Sequence, residues 1–260
     1  MKISITKNKI LNWILKFIII ALLWVLIWQA VYFFVNNDLF VPSPKAVAVR
    51  IFELASESDF WISVGYSIWR ILIGFLLGVF IGVLFAFVSA ISFFDSFFEP
   101  VKVVLRATPI ASFIMLAWIW IKRDSIPVFI SAIMVIPFVW GNLSTGIKSI
   151  DKDFKELATI YHLGFIKRIK YIYAPGILPY FATAICTCAG LVWKAGVAAE
   201  VLCLPKNSIG ANLFYAKSVL DTLDVFSWTV VTVLISVFLE LLIKFFLKKL
   251  EKRFAFEGLT

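Results

Sequence analysis

Apolar residues in this chain come in long unbroken runs rather than at spaced positions. Six blocks stand out, at 14–35, 63–90, 101–121, 126–147, 180–204 and 225–247. Each is close to or above the roughly 20 residues that carry a helix across a bilayer. Within hydrocarbon only helices and closed barrels satisfy the backbone. Barrel strands alternate apolar and polar side chains, whereas these blocks are continuous. The pattern predicts an all-α membrane protein: six transmembrane helices in a single domain over 1–260. Most connections are short. The segment 148–179 is long and basic, and 36–62 contains Pro42-Ser43-Pro44, which reads as an extended lead into a surface helix. No loop has room for a soluble catalytic domain.

Composition agrees. The chain is 62% hydrophobic and 16% charged, against about 45–50% and about 25% in soluble domains. A net charge of +9 would suit nucleic acid, but the basic residues sit between the apolar blocks and at both ends. Such a distribution sets orientation in a membrane. Placing the N-terminus in the cytoplasm puts Lys2, Lys7, Lys9, Lys16, Lys102, Arg106, Lys148, Lys152, Lys155, Lys167, Arg168, Lys170, Lys244, Lys248, Lys249, Lys252 and Arg253 inside. Only Lys45, Arg50, Lys122, Arg123, Lys206 and Lys217 fall outside. Both termini are therefore expected in the cytoplasm. The first block is too long for a signal-peptide core, and no small-residue cleavage site follows it. Three cysteines cannot staple a fold. Cys186 and Cys188 lie in an apolar run without a nearby histidine, so they read as small packing residues rather than metal ligands.

Within the second block, Gly74, Gly78 and Gly82 recur every four residues and so share one helix face, where another helix can approach closely. Ionisable residues inside spans are costly unless paired or wetted, which makes Arg70, Lys194, Glu200 and Glu240 candidates for function. Arg70 and Glu240 lie near span ends and are expected to snorkel to the interface. Lys194 and Glu200 share a helix, yet six residues turn them about 120° apart, so they cannot pair with each other. Each needs a partner on another helix or a watery path, leaving a gate role and an anchor role both open. In the long basic segment, 152–161 reads as a short helix with Asp151 or Asp153 as N-cap and Gly164 as its break. A second amphipathic piece follows, with Phe165, Ile166, Ile169 and Ile172 opposite Lys167, Arg168 and Lys170. Pro175 and Pro179 mark the start of the fifth span. A surface half apolar and half basic calls for a covering partner, either a protein or an anionic leaflet.

That segment resembles the coupling loop of bacterial ABC importer permeases, whose pattern is E-A-A, three residues, G, nine residues, I-x-L-P. Glu156, Ala158, Ile172 and Pro175 fill their positions, while Leu157, His162 and Ala174 replace alanine, glycine and leucine. Val41 to Pro44, Ser67 to Phe75 and Trp193 to Glu200 resemble further stretches of the nitrate/sulfonate/taurine branch. The resemblance implies a type I importer permease of the bacterial inner membrane, paired with a second, identical copy. A cytoplasmic ATP-binding subunit would dock on Glu156, Leu157, Ala158, His162, Gly164 and Pro175, and a substrate-binding protein would deliver cargo from outside. ATP and Mg would reside on that partner, since this chain has no phosphate loop and is not expected to be an enzyme. Cargo would be a nitrate-, sulfonate- or taurine-like anion, or a small aromatic vitamin precursor. Lys194, Glu200, Trp193 and Trp118 are the candidates for lining or gating its path, although tryptophans near span ends also form interfacial belts. The competing readings are a secondary transporter or channel, a membrane-embedded enzyme and a scaffold. No internal repeat supports the first, and one histidine in the chain argues against metal or histidine catalysis.

Overall fold

The computed structural model describes residues 3–89 and 92–257, with backbone alone for 3–18, 92–93, 152, 155, 165, 248 and 250–257. Of the basic residues used for orientation, Lys2 and the side chains of Lys7, Lys9, Lys16, Lys152, Lys155, Lys248, Lys252 and Arg253 lie outside the described set. All regular structure among the described residues is helical. The helices are α1 (Ile3–Val35), α2 (Pro44–Ser56), α3 (Ser58–Val88), α4 (Ser92–Ala107), α5 (Ile110–Trp120) and α6 (Ile126–Ser149). After these come α7 (Lys152–Ile160), α8 (Phe165–Arg168), α9 (Ala174–Cys203), α10 (Ile209–Ser218) and α11 (Thr222–Glu257).

Four continuous helical segments are long and apolar enough to cross a membrane: Ser58–Val88, Arg123–Ser149, Ile166–Cys203 and Thr222–Leu247. The block at 101–121 is not one straight span. It divides into α4 and α5, bent by 101° at Thr108-Pro109. Pro109 has no N–H to continue the ladder, and it disfavours helical backbone at the residue before it. In α1 the described apolar stretch is Ile19–Val35.

The chain forms two compact units. One comprises Met1–Phe60 and Asn212–Val231. Here Ser43 caps α2 by accepting the Ala46 N–H at 3.1 Å, and Pro44 opens the helix, as the Pro-Ser-Pro pattern predicts. Arg50 pairs through two nitrogens with Asp224 at 2.5 and 3.1 Å, which fastens α2 to the first turn of α11 and raises the guanidinium pKa further. Trp28 stacks on Phe226, and Phe60 packs tilted against Trp228, in the same unit.

The second unit comprises Trp61–Ala211 and Thr232–Thr260, and its centre is the α6–α9 pair. Ile126, Ile130, Val135, Val139 and Trp140 of α6, with Ala184, Cys188 and Val192 of α9, are essentially fully buried. Gly74, Gly78 and Gly82 all face α6. A Cβ at Gly78 would stand 2.6 Å from the Ala132 carbonyl oxygen, and one at Gly82 would stand 2.9 Å from the Val139 Cβ. At Gly74 it would collide with the Val128 carbonyl. This is close backbone packing of the kind that holds helices together where lipid leaves no hydrophobic drive between them. Apolar side chains on the other faces of α3 and α11, among them Phe80, Leu84, Leu234 and Phe238, point outward.

Candidate functional site

The segment after α6 is built by local rules. Asp151 accepts the Asp153 N–H at 3.2 Å and caps α7, one of the two caps the sequence offers. The helix ends in a paired-bond motif: the Leu163 N–H reaches the Ala158 carbonyl at 3.0 Å, and the His162 N–H reaches Thr159 at 3.1 Å. Left-handed backbone closes this motif, and the residue that adopts it is His162, with φ 47°. Gly164, expected to make the break, has ordinary negative φ; the turn is complete two residues before it. Arg168 then folds back, donating Nε to the Leu163 carbonyl at 2.9 Å and Nη2 to the Ala158 carbonyl at 3.3 Å. A cation on carbonyls at a helix C-terminus satisfies orphan acceptors and opposes the helix dipole. The sequence offered only a basic residue downstream of the helix, with no sign of this contact.

Ala158 is the buried anchor of α7, whereas Glu156 and Leu157 are exposed, and so are Phe154, Ile160 and Tyr161. The second amphipathic piece is not a separate surface helix. From α8 the chain passes through a π-helical turn, Ile169–Tyr173, straight into α9. Pro175 sits at the junction of the π-turn and α9, where the helical bonding is already irregular.

At the other end of α9 lies a buried polar cluster. Glu200 is 0% exposed and accepts from Ser67 Oγ at 2.7 Å and from the Gly210 N–H at 3.3 Å. Arg70 is 8% exposed, so it does not snorkel. Its guanidinium stands 3.8 Å from Glu200 and donates to the carbonyls of Lys206 at 2.7 Å and Asn207 at 3.1 Å. Asp124 accepts from both Arg70 and the Lys206 N–H. The sequence missed Ser67, whose hydroxyl also accepts the Ile209 N–H at 3.0 Å. Glu200 and Arg70 thus fasten α3 to α9 and to the segment that leads into α10. In low dielectric, truncating one partner of such a pair costs about 3–5 kcal/mol.

Between these ends, α5, α9 and α11 border a cleft of about 810 Å³, lined by Ile110, Ile114, Leu191, Lys194, Ala198 and Glu240 among others. Glu240 pairs with Lys244 at 2.6 Å. Lys194 makes no ion pair among the described residues and is the cation on an otherwise largely apolar wall. Trp193 points elsewhere; it is buried and donates to the Thr232 carbonyl at 3.0 Å. Trp118, on α5, is partly exposed, with the Arg123 guanidinium 5.8 Å from its ring. The structure therefore separates the four residues: Lys194 in the cleft, Glu200 in the buried cluster, and the two tryptophans in neither.

Long apolar helices, a glycine seam and a short helix held out between two of the spans define a multi-pass membrane protein. The family described as the binding-protein-dependent transport system inner membrane component matches residues 74–256, and the chain belongs to it. It is similar to the permease SsuC of Escherichia coli, named for aliphatic sulfonates transport, with 27% identity over 184 residues and 70% of each chain covered. It is also similar to the nitrate import permease protein NrtB of Leptolyngbya laminosa, with 28% identity over 164 residues, 60% of this chain and 55% of that one. A solved chain from an amino acid ABC transporter has the same fold, with TM-score 0.56 and 19% identity, covering 79% of this chain and 96% of that one.

Proposed function

We propose that α7 is the docking element for a cytoplasmic ATP-binding subunit, and that this chain, as one of two identical copies, forms the path for a small anion. The observation that carries this reading is the surface of α7. Phe154, Leu157, Ile160 and Tyr161 are 45–73% exposed on one short helix, capped at both ends and pinned by Arg168. Apolar side chains left outward on a rigid helix suit insertion into a groove of another protein. ATP and Mg belong to that partner, whose closure would push α7 and rock the spans between two states. The basic side, with α7, faces the cytoplasm, and a binding protein delivers cargo from the opposite face. Lys194 in its cleft, together with relatives named for sulfonates and nitrate, supports an anionic cargo over a neutral aromatic one.

A tagged purification in mild detergent tests the docking. An ATP-binding subunit should accompany the wild-type chain in near-equal amount and be lost from Glu156→Arg, with the permease itself still folded. A solitary chain that crosslinks to no ATPase would sink the reading and favour a secondary transporter.

A further inference from the structure

At the end of α6 that leads into α7, charge ties α4 to α6. Asp95, Glu99 and Lys102 share one face of α4, and Lys102, 7% exposed, pairs with both carboxylates, the Asp95 contact being 3.2 Å. These three groups sum to one negative charge. Lys148, in the last turn of α6, also pairs with Asp95 and brings the group to neutrality. Asp95 therefore accepts from two ammonium groups, one on its own helix and one on its neighbour. Its side chain is 18% exposed, so the pair is screened less than one on an open surface. At the far end of α4 the exposed Arg106 donates to the Pro137 carbonyl at 2.7 Å. Between these two ties lies a cavity of about 470 Å³, to which α9 contributes Tyr180.

What stands on either side of Asp95 and Lys148 gives their pair mechanical reach. Three residues beyond Lys148, Asp151 caps α7, so the ion pair and the exposed helix hang on one short stretch of backbone. At its other end α4 turns 101° at Thr108-Pro109 into α5, whose Ile110, Ala111 and Ile114 line the cleft together with Leu191 and Lys194 of α9. Both arms are complete up to the bend. Thr108 Oγ1 donates to the Val104 carbonyl at 2.7 Å, and the Ser112 N–H reaches the Pro109 carbonyl at 3.0 Å. The Pro109 nitrogen carries no hydrogen and sends no ladder bond across the bend. Two stiff arms joined at a proline make an elbow. The α9 wall is held differently, through Glu200 to Ser67 of α3. With 16 residues α4 is an arm of about 24 Å, and turning it by about 5° carries the joint about 2 Å.

We propose that Asp95 and Lys148 are positioning residues for transport: their ion pair passes a displacement of α7 to α4, and the elbow turns it into movement of the α5 wall of the cleft. This link rests on the docking read for α7. A simple anchor acts on stability alone. A transmitting pair acts on how the cleft answers nucleotide, while docking and hydrolysis persist. Lys148 is the member to alter, because its side chain is 57% exposed and Lys102 still pairs with Asp95 without it.

The test uses the full chain with its co-purifying ATP-binding subunit in nanodiscs. The three cysteines of the chain are replaced, and Ala111→Cys, at an exposed position of α5 in the cleft lining, is the reporter. Its rate of reaction with a maleimide, read on the permease band, is compared without nucleotide and with ATP, Mg and vanadate. A change of about five-fold or more is expected, the lower end of ordinary coupling between sites. Lys148→Gln should cut that change to less than about two-fold, with melting temperature, subunit stoichiometry and hydrolysis unaltered. Lys148→Arg keeps the charge and should keep the response. Pro109→Ala restores an N–H, stiffens the joint and should blunt the response with Lys148 in place. A full response in Lys148→Gln, or loss of the subunit from that variant, would overturn the proposal. So would a wild-type reporter that ignores nucleotide while the subunit is bound and hydrolysing. A wild-type chain that brings down no ATP-binding subunit would instead sink the docking reading itself, and this link with it.

Discussion

His162 carries an L side chain in backbone that glycine adopts without penalty. Left-handed conformation costs an L residue about 1–2 kcal/mol, and the coupling-loop pattern has glycine at this position. His162→Gly should therefore stabilise the end of α7 by about 1 kcal/mol, slowing exchange of the Leu163 amide about five-fold. An unchanged exchange rate would mean that this residue does not close the helix. Legibility at this scale was uneven. The cap at Asp151 and the Pro-Ser-Pro start of α2 follow from local chemistry and could be read directly. Arg70 and Arg168 could not, because their acceptors are carbonyls that belong to distant backbone or to a turn not yet formed. A count of charges along the chain says nothing about which carbonyls are free.

Among the elements, the seam between α3 and α6 is the sharpest case of spacing translated into packing. Gly78→Val would drive a methyl-bearing carbon into the Ala132 carbonyl and Val135, costing at least the about 1–3 kcal/mol typical of overpacking. Gly65, on the same helix, has nothing within 4 Å of an added Cβ, so Gly65→Ala is the matched control. Thermal aggregation in detergent should fall several degrees earlier for the first and stay put for the second. Equal curves would refute the seam. Periodicity of four was enough to locate this face, but hydropathy alone could not see the bend at Thr108-Pro109. Apolar residues resume directly after Arg106-Ala107-Thr108, and it is Pro109 that marks where the ladder ends. The same blindness made the amphipathic stretch before α9 look like a separate helix.

For the whole molecule, the uneven distribution of lysine and arginine is the feature most easily tested. If it sets orientation, the α7 side faces the cytoplasm. In a chain with its three cysteines replaced, Tyr161→Cys should resist an impermeant maleimide in intact cells and react in inverted vesicles. Tyr161 is 73% exposed in the lone chain, so with the chain expressed without its docking partner reactivity reports sidedness rather than burial. Labelling in intact cells would reverse the assignment. The all-helical membrane class and the family were legible here, because they rest on block lengths and on one spaced motif, while the count of six spans was not, since four continuous segments and one bent pair stand among the described residues. The cavity at Arg106 was not. Its lining comes from residues up to 85 positions apart, Asp95 to Tyr180, which only the packed helices bring together.

The helix that runs unbroken from Ile166 to Cys203 is 38 residues long, a shaft of roughly 57 Å at 1.5 Å per residue. Glu200 bolts one end of it to α3, while Arg168 grips α7 at the other. With the far end as fulcrum, a tilt of about 10° sweeps the near end through about 10 Å. The converse holds as well: a large shove at the handle arrives at the bolt as a small rotation. The π-turn at Ile169–Tyr173 sits beside the handle, where the coil is widest and its bonding most irregular. On the docking proposed for α7, whatever part of a stroke the shaft does not transmit falls on that collar.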